Sequence, residues 1–440
     1  AAGLDFRAVW QLTSMSVGAG VFTIPWVFVQ LGILHAAIWV IVMALLANLA
    51  MQRLLDAAAE HGRCSYEDLA ELAFGGAGQV AMRVITLVTT FIAGLSYVSA
   101  ARELLLNVAV GFILDVDVNS TRAEVEILSA GKGIALLAIL VAFVLPLCAS
   151  PTMGSNAWIS KFGVFCMFSA SAFFVARCMV ILAQGCRPPI QCGYRPAAFS
   201  GSPLDVLEFT ATLACSFSMV FALFPVLQDR IIQSNLQCAV AALRRSVRCS
   251  VILCSVLYLT IGAVGAATFG SATKGLALSN LPLSEGFTQS ITLMVGISVE
   301  LLVAIVSFPT VKSAECIVVA CAGLATLSPW VRPYLVAAIG AAMVLVDTFL
   351  PTKVAFTLTG SLGLSMGAYV MPCLLFLRLG RTSQESGMRT QPSVRWAACV
   401  VLLFGLVLLV GATPVTLFRL LGGRSGDTPQ PLLPLICGPS

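Results

Sequence analysis

Residues 14–25 read SMSVGAGVFTIP, and they place two glycines and a proline inside the first membrane-length apolar segment of the chain. In a bilayer every backbone N–H and C=O needs a partner within the protein, so an unwound stretch is tolerated only where it is buried or lines a wet cavity. Freed backbone groups and half-helix ends can hold an ion or a zwitterion. The alternative is a glycine-kinked, closely packed helix, because glycine is common in membrane helices.

The composition is that of a polytopic membrane protein. Of the 440 residues, 59% are hydrophobic and 10% are charged, whereas a soluble domain carries about 25% charged residues. About twenty apolar residues are needed to span a bilayer. We predict eleven spans, at residues 8–31, 33–54, 80–108, 130–149, 157–184, 206–228, 247–269, 287–310, 333–350, 354–378 and 393–413. The apolar segment 316–327 is too short to span, so it either continues span eight or lies on the surface.

Lys and Arg are distributed unevenly over the predicted loops. Most of the 25 lie on the inner side if the N-terminus is inside, which predicts an inner N-terminus and a non-cytosolic tail at 414–440. We therefore attribute the net charge of +5 to topology rather than to nucleic-acid binding. The topology places the glycosylation sequon at Asn119 outside. Cys186 and Cys192 share an outer loop, and whether they form a disulfide depends on the compartment.

The sequence contains no evident cluster of catalytic or metal-binding side chains. Its two histidines are His35 and His61, and it has no Cys-x-x-Cys or Cys/His metal spacing. It also lacks paired carboxylates at a useful spacing, a charged ring and a filter-like repeat. We therefore expect neither an enzyme nor a channel, and no cofactor or metal other than a coupling Na⁺ or H⁺.

A second break is predicted in span six, five spans after the first. Residues 215–225 read CSFSMVFALFP, and a proline inside a helix removes a hydrogen bond and clashes with the carbonyl one turn earlier. Corresponding interruptions in two halves indicate a transporter built from inverted five-helix repeats. We assign the first repeat to residues 1–184, the second to 206–378 and an additional eleventh helix to 393–413. An ordinary proline kink is the alternative for span six.

The two breaks together predict a site for an amino acid zwitterion, recognised by backbone groups without a charged side chain. The carboxylate is expected at the N–H groups of Gly18, Ala19 and Gly20 in span one. The ammonium is expected at carbonyls of span six between Ser216 and Phe224. The other residues of the breaks that we assign to the substrate site are Ser16, Ser218 and Phe221.

Four stretches of the chain match motifs that occur in the same order in one known family. They are VGAGVFTIP at 17–25, SYEDLAELAFG at 65–75, GAATFG at 265–270 with LSNLP at 278–282, and SFP at 307–309. Through them the chain resembles the amino acid/auxin permease family, which includes the sodium-coupled neutral and vesicular amino acid transporters. The resemblance implies an eleven-helix LeuT-like fold and secondary transport of amino acids driven by protons or sodium. It also implies that Tyr97 in span three faces the substrate; the alternative is a tyrosine ring packed in the bundle.

Three residues are candidates for binding the coupling ion. Glu300 lies in the middle of span eight, where a carboxylate is a proton carrier, a partner for a cationic substrate, or half of a structural ion pair with Arg177. Ser307 lies two helical turns further along, on the same face. Together with Ser14 and carbonyls of span one, it offers oxygen ligands for sodium. Ser14 occupies a position where sodium-coupled members of the family often carry Asn, so both ions stay open.

Charged residues also lie near the predicted outer ends of two spans, three and nine. Arg102, Glu103 and Asp347 are close enough to these ends that we expect their charged groups to reach the membrane surface.

The predicted function is secondary active transport of amino acids by alternating access, coupled to a proton or sodium gradient. The apolar residues Met219, Val220 and Phe221 of span six favour neutral substrates. The alternatives are a non-transporting amino acid receptor of the same fold and a cationic amino acid transporter. The predicted partners are an amino acid and the lipid bilayer, and the predicted location is the plasma membrane or the membrane of an acidic organelle.

Overall fold

The fold is a bundle of long apolar helices. The computed structural model describes residues 5–114, 144, 146–149, 157–186, 190–194, 196–232, 235–282, 285–323, 328, 330–348, 350, 352–385 and 392–421. In this part of the chain every regular element is helical, and eight helices are long and apolar enough to cross a membrane, or nine with a bent pair at the N-terminus. The predicted all-helical polytopic architecture is confirmed. The count of eleven stays a prediction, because most of span four and the sequon at Asn119 lie outside the described residues.

Span one is a broken helix, as predicted. Its first half is Phe6–Ser16 and its last half is Ile24–Leu31, with a 3-10 turn at Ala19–Thr23 between them. The two halves are bent by 50°. Pro25 lies in the first turn of the last half, where a residue without an N–H costs the helix nothing. The glycines and the proline of the opening motif therefore act locally, at the break itself.

Span six is broken as well, but the break is shorter than the sequence suggests. Pro203–Cys215 and Val220–Ile231 are separated by a turn at residues 216–219. Pro225 lies inside the second half. The chain is distorted upstream of this half. A proline ring clashes with the backbone on its N-terminal side, so the break forms before the proline and does not extend to it.

The other described spans match the predicted order and differ from it mainly at their ends. Spans two, three, five, seven, eight and nine are Ile33–His61, Tyr66–Leu114, Ala157–Gln184, Leu236–Phe269, Gly286–Ala322 and Val331–Asp347. Span ten consists of Thr352–Leu358, wide π-helical turns at Thr359–Val370, and Met371–Glu385. Span eleven consists of Pro392–Val407, a π-helical turn at Leu408–Ala412, and Thr413–Leu421. The division into repeats at 1–184 and 206–378 stays a prediction.

Two of these differences have a clear cause. Span eight continues to Ala322, so residues 316–322 of the short apolar segment continue its helix, and residues 324–327 lie outside the described part of the chain. Span seven begins at Leu236, well before the predicted start. Its extra turns are basic, and Arg244 pairs there with Asp56 of span two. A span predicted from hydropathy alone ends at such charges, although the helix continues past them.

A short helix, which we call the interfacial helix, begins the range Tyr66–Leu114 and precedes the membrane-spanning part of span three. Ser65 caps it, because its side-chain oxygen accepts a hydrogen bond from the backbone N–H of Asp68 at 3.0 Å. Gly75, with φ of 72°, separates it from the membrane helix that follows. Tyr66 anchors it to span ten by donating a hydrogen bond to the carbonyl of Gly367 at 2.7 Å.

Span ten packs closely against spans three and six through its glycines. A Cβ on Gly360 would lie 1.7 Å from the carbonyl oxygen of Ala211, and one on Gly363 would lie 2.9 Å from the side chain of Thr89. Small residues allow helix backbones to approach in this way. The hydroxyl of Thr89 donates to the carbonyl of Gly363 at 3.1 Å, which satisfies a carbonyl of the π-helical segment.

The segment between spans five and six forms a strap over one end of the bundle, the end that the charge distribution predicts to be outer. We use the name strap for residues 190–194 and 196–200. Cys186 and Cys192 form a disulfide at its start, which answers a question that the sequence leaves open. Its backbone bonds to the end of span seven, through Gly193 N–H to Phe269 O, and to the corner between spans one and two, through Ser200 N–H to Leu31 O.

The close contact between Gly360 and the backbone of span six leads to a stability prediction. Gly360→Ala introduces a methyl group into the backbone of span six, so we expect a free energy of unfolding lower by about 1–3 kcal/mol or more, the cost of overpacking. Thermal unfolding of purified protein in detergent measures the change. Gly286→Ala is the matched control, because a Cβ there meets nothing within 4 Å; equal melting temperatures for the two variants would contradict the prediction.

Candidate functional site

The breaks of spans one and six lie side by side, and hydroxyl groups join them. The carbonyl of Met15, at the end of the first half of span one, accepts hydrogen bonds from the hydroxyls of Tyr97 at 3.2 Å and Ser218 at 2.5 Å. Tyr97 comes from span three and Ser218 from the break of span six. A carbonyl freed by the interrupted helix is thus satisfied by side chains, as a membrane interior requires.

Tyr258 of span seven connects the two breaks directly. Its hydroxyl lies 2.8 Å from the carbonyl oxygen of Ser16 and 2.7 Å from that of Ser216. A phenol has one proton to donate, so the two carbonyls compete for it. The ring is fully buried. Sequence reasoning did not assign this residue a role; the available signal was a tyrosine in an apolar span, since a buried tyrosine hydroxyl needs a partner.

The glycines of span one make room for these contacts. A Cβ on Gly18 would lie 2.3 Å from the hydroxyl oxygen of Tyr97, so only glycine fits. A Cβ on Gly20 would lie 3.6 Å from the nearest side-chain atom of Phe356 and 3.8 Å from that of Ser216. The hydroxyl of Ser16 is buried and has no hydrogen-bond partner among the described residues, which leaves it available to a ligand.

The structure therefore brings together six of the eight residues predicted for the substrate site. Those joined by the contacts above are Ser16, Gly18, Gly20, Tyr97, Ser216 and Ser218. Ala19 lies in the 3-10 turn between the two glycines. Phe221 lies one turn beyond the break of span six and contacts the position where a Cβ of Gly367 would be, at 2.4 Å. Binding by these residues stays a prediction.

A cavity extends from Phe221 toward the end of the molecule opposite the strap. It has a volume of about 50 Å³ and is lined by the interfacial helix and spans three, six and eight. Apolar residues of span six form one wall, including Val220 and Phe224, and polar groups lie near the helix ends, including Gln228 and Lys312. The cavity links the region of the breaks to one side of the bundle.

The candidate ion ligands Ser14 and Ser307 differ in their contacts. The hydroxyl of Ser14 donates to the carbonyl of Gln11 at 2.8 Å, within its own helix. The hydroxyl of Ser307 has no partner among the described residues and lies 3.5 Å from a Cβ position on Gly94 of span three. Ser307 lines a second, smaller cavity of about 20 Å³ between spans three, four, eight and nine. Their role in binding an ion stays a prediction.

Glu300 is buried in span eight, with 4% of its surface exposed, and neither carboxylate oxygen has a hydrogen-bond partner among the described residues. The structural ion pair with Arg177 that the sequence suggested does not form. Arg177 pairs instead with Glu285, with an N–O distance of 2.5 Å, at the start of span eight. Arg177 lies beside the start of span eight, so its guanidinium contacts Glu285 there and does not reach Glu300, which lies deeper in the bundle.

The expectation that Asp347 reaches the membrane surface is wrong. Its side chain is 0% exposed, and one carboxylate oxygen lies 2.8 Å from Nε of Arg102 in span three. The short span nine ends against span three, so its last residue is covered by neighbouring helices. Arg102 retains 22% side-chain exposure because it lies on the edge of this contact.

Solved structures with a similar fold are those of the manganese transporter of Eremococcus coleocola. The crystal structure in complex with an aromatic bis-isothiourea substituted compound superimposes with a TM-score of 0.55 at 13% sequence identity, covering 96% of this chain and 87% of that one. Two mutants of the same transporter give TM-scores of 0.56 and 0.57, also at 13% identity, each covering 98% of this chain and 89% of the other. The chain has the LeuT-like fold of such transporters.

A family model described as "Transmembrane amino acid transporter protein" matches residues 5–418. The chain belongs to this family, and the resemblance found in its motifs is confirmed. The curated Amino acid transporter AVT6D of Arabidopsis thaliana is 31% identical over 84 residues. That alignment spans 19% of this chain and 19% of the plant protein. Family and fold establish an integral membrane protein of the transporter class.

The hydroxyl that joins the breaks generates the second prediction. Tyr258→Phe leaves two buried carbonyls without their donor, so we expect the free energy of unfolding to fall by about 1–3 kcal/mol, the cost of an unsatisfied buried polar group. Thermal unfolding in detergent measures it. Tyr194→Phe is the matched control, because Tyr194 is 89% exposed. A melting temperature for Tyr258→Phe equal to that of the control would show that the hydroxyl contributes nothing.

Proposed function

We propose that this protein is a secondary active transporter that moves neutral amino acids across a membrane by alternating access, driven by a proton or sodium gradient. The observation that carries the proposal is the meeting of the two helix breaks at Tyr97, Ser218 and Tyr258. Family membership supports amino acid transport; the substrate class and the driving ion belong to the proposal.

The zwitterion is recognised by backbone groups. The first N–H groups after a break have no intrahelical partner and carry the positive end of the helix dipole, so those near Gly18 and Gly20 suit a carboxylate. Carbonyls of residues 216–219 suit an ammonium group. The free hydroxyl of Ser16 adds one donor or acceptor at the same place.

The side-chain pocket favours a neutral substrate. The groups that contact the breaks are hydroxyls, glycines and apolar rings, among them Phe221 and Phe356. Glu300, the acid that a cationic substrate would need, interacts with Cys148 of span four and Asp347 of span nine, and none of the hydrogen bonds that join the breaks involves it. Charge on the substrate side chain would therefore meet no opposite charge, and such burial is costly.

Alternating access has matching features at the two ends of the bundle. The strap covers one end through backbone hydrogen bonds to spans one, two and seven, whereas a cavity opens from Phe221 toward the other end. This arrangement suits a state in which substrate exchanges with the side away from the strap. Opening of the opposite side requires the outer halves of spans one and six to move relative to the strap.

Uptake of labelled amino acids into proteoliposomes tests the proposal. We expect uptake of neutral amino acids from a mixed pool under an imposed proton or sodium gradient. Gly18→Ala should lower it by about tenfold or more, because its Cβ would overlap the hydroxyl of Tyr97 and overpacking costs about 1–3 kcal/mol.

Gly286→Ala is the control for this experiment, since it adds the same methyl group in open space. Uptake that Gly18→Ala leaves at the level of Gly286→Ala would refute the assignment of the site. Folded wild-type protein that binds an amino acid without moving it under either gradient would refute transport, and would favour the receptor alternative.

A further inference from the structure

A buried group of charged residues lies away from the two breaks, where spans three, eight and nine meet. Glu300 in span eight and Asp347 in span nine interact electrostatically, and Arg102 in span three pairs with Asp347. We call Glu300 and Asp347 the carboxylate pair, and Arg102 is its arginine. From this cluster we propose that the coupling ion is a proton, and that the carboxylate pair binds it. The inference rests on the proposed transport function.

The geometry leaves this cluster one positive charge short. Asp347 takes the arginine as an ion pair, with Nε 2.8 Å from its carboxylate oxygen, although its oxygens, like those of Glu300, make no hydrogen bond among the described residues. Both oxygens of Glu300 are buried and have no hydrogen-bond partner among the described residues. Two ionised acids with one guanidinium carry a net negative charge, and a buried unpaired charge is expensive. One proton on the pair brings the three residues to neutrality.

The surroundings of Glu300 supply no second cation in the described part of the chain. Span four presents Cys148 to it. Span five packs against the opposite face of span eight, where the carbonyl of Gly163 accepts a hydrogen bond from Ser298 at 3.4 Å. The charges of span five lie elsewhere: Lys161 is exposed, and Arg177 pairs with Glu285.

Arg102 also serves a second acid on its own helix. Glu103 interacts with Arg102, with Lys274 and Lys353, and with the hydroxyl of Thr352. Since Glu103 has these other cations and Asp347 takes the guanidinium directly, Glu300 is the acid that gains most from a proton.

Sodium is less well served by the same structure. A sodium ion at the break of span one needs oxygen ligands, yet the carbonyls of Met15 and Ser16 already accept hydrogen bonds from hydroxyls. Glu300 has the opposite character, because it lacks a donor. A proton supplies that donor and requires no other ligand.

A small cavity lies beside Glu300 along its own helix. Val303 and Ser307 lie one and two turns beyond Glu300 on the same helical face, and both line this cavity of about 20 Å³ together with Cys148. The free hydroxyl of Ser307 lies inside this space. At the other end of the cluster, the partly exposed Arg102 connects Asp347 to the edge of the bundle.

Proteoliposomes with the purified full chain test the inference. In sodium-free buffer, a gradient of one pH unit supports up to about tenfold accumulation of substrate for one proton per molecule. We expect wild-type protein to accumulate neutral amino acids in this way and to acidify the lumen, as read by a trapped pH-sensitive dye. Glu300→Gln should lose the gradient-driven accumulation and the acidification, while amino acid exchange between equal pools continues.

Two further variants keep the experiment decisive. Glu285→Gln alters an acid at the exposed start of the same helix and should behave like wild type. Asp347→Asn frees Arg102 to pair with Glu300, so proton binding should require a more acidic outer solution and the pH for half-maximal uptake should fall. This shift tests the pair even if Glu300→Gln does not fold.

The outcomes separate the inference from the proposed function. Accumulation by wild type that follows sodium alone, or that persists under a pH gradient in Glu300→Gln, overturns the proton assignment and leaves amino acid transport standing. Wild-type protein that moves no amino acid under either gradient overturns both proposals before any variant is compared.

Discussion

The need to satisfy backbone carbonyls inside a membrane shapes the centre of this protein. Each broken helix exposes carbonyl groups where water is scarce, and three hydroxyls from different spans bind them. Tyr258 is central, because its hydroxyl faces a carbonyl from each break. These bonds hold the two interrupted helices together without any charged side chain. The carbonyl of Ser216, which accepts from Tyr258, is also one of the groups proposed to bind the ammonium of the substrate.

The sequence predicts features that depend on local chemistry. The break at residues 14–25 follows from glycine and proline alone, and the interfacial helix follows from the cap at Ser65. Features that depend on distant contacts were not predictable: Tyr258 meets carbonyls 242 and 42 residues away. Asp347 was wrongly placed at the surface, because only packing shows that span three covers it. Pro225 led to a prediction of a longer break in span six than the one observed, since the observed break lies upstream of the proline.

Uncharged and charged functions occupy different parts of the bundle. The breaks are lined by hydroxyls and apolar groups, whereas the buried acids lie between spans three, eight and nine. Span three belongs to both regions, because Tyr97 contacts the break and Arg102, five residues further, pairs with Asp347. A small rotation or tilt of this helix would change both contacts at once. Such a shared rigid element is a physical route for coupling between two sites.

The strap ties together parts of the chain that are far apart in sequence. It bonds through its backbone to the corner after span one and to the end of span seven, and the disulfide between Cys186 and Cys192 fixes its origin. Because these bonds use main-chain groups, they are insensitive to most side-chain changes in the strap. An antibody raised against this surface would recognise a shape assembled from three separate segments. Its affinity would therefore report the conformational state of the outer face, and linkage requires that it favour that state in return.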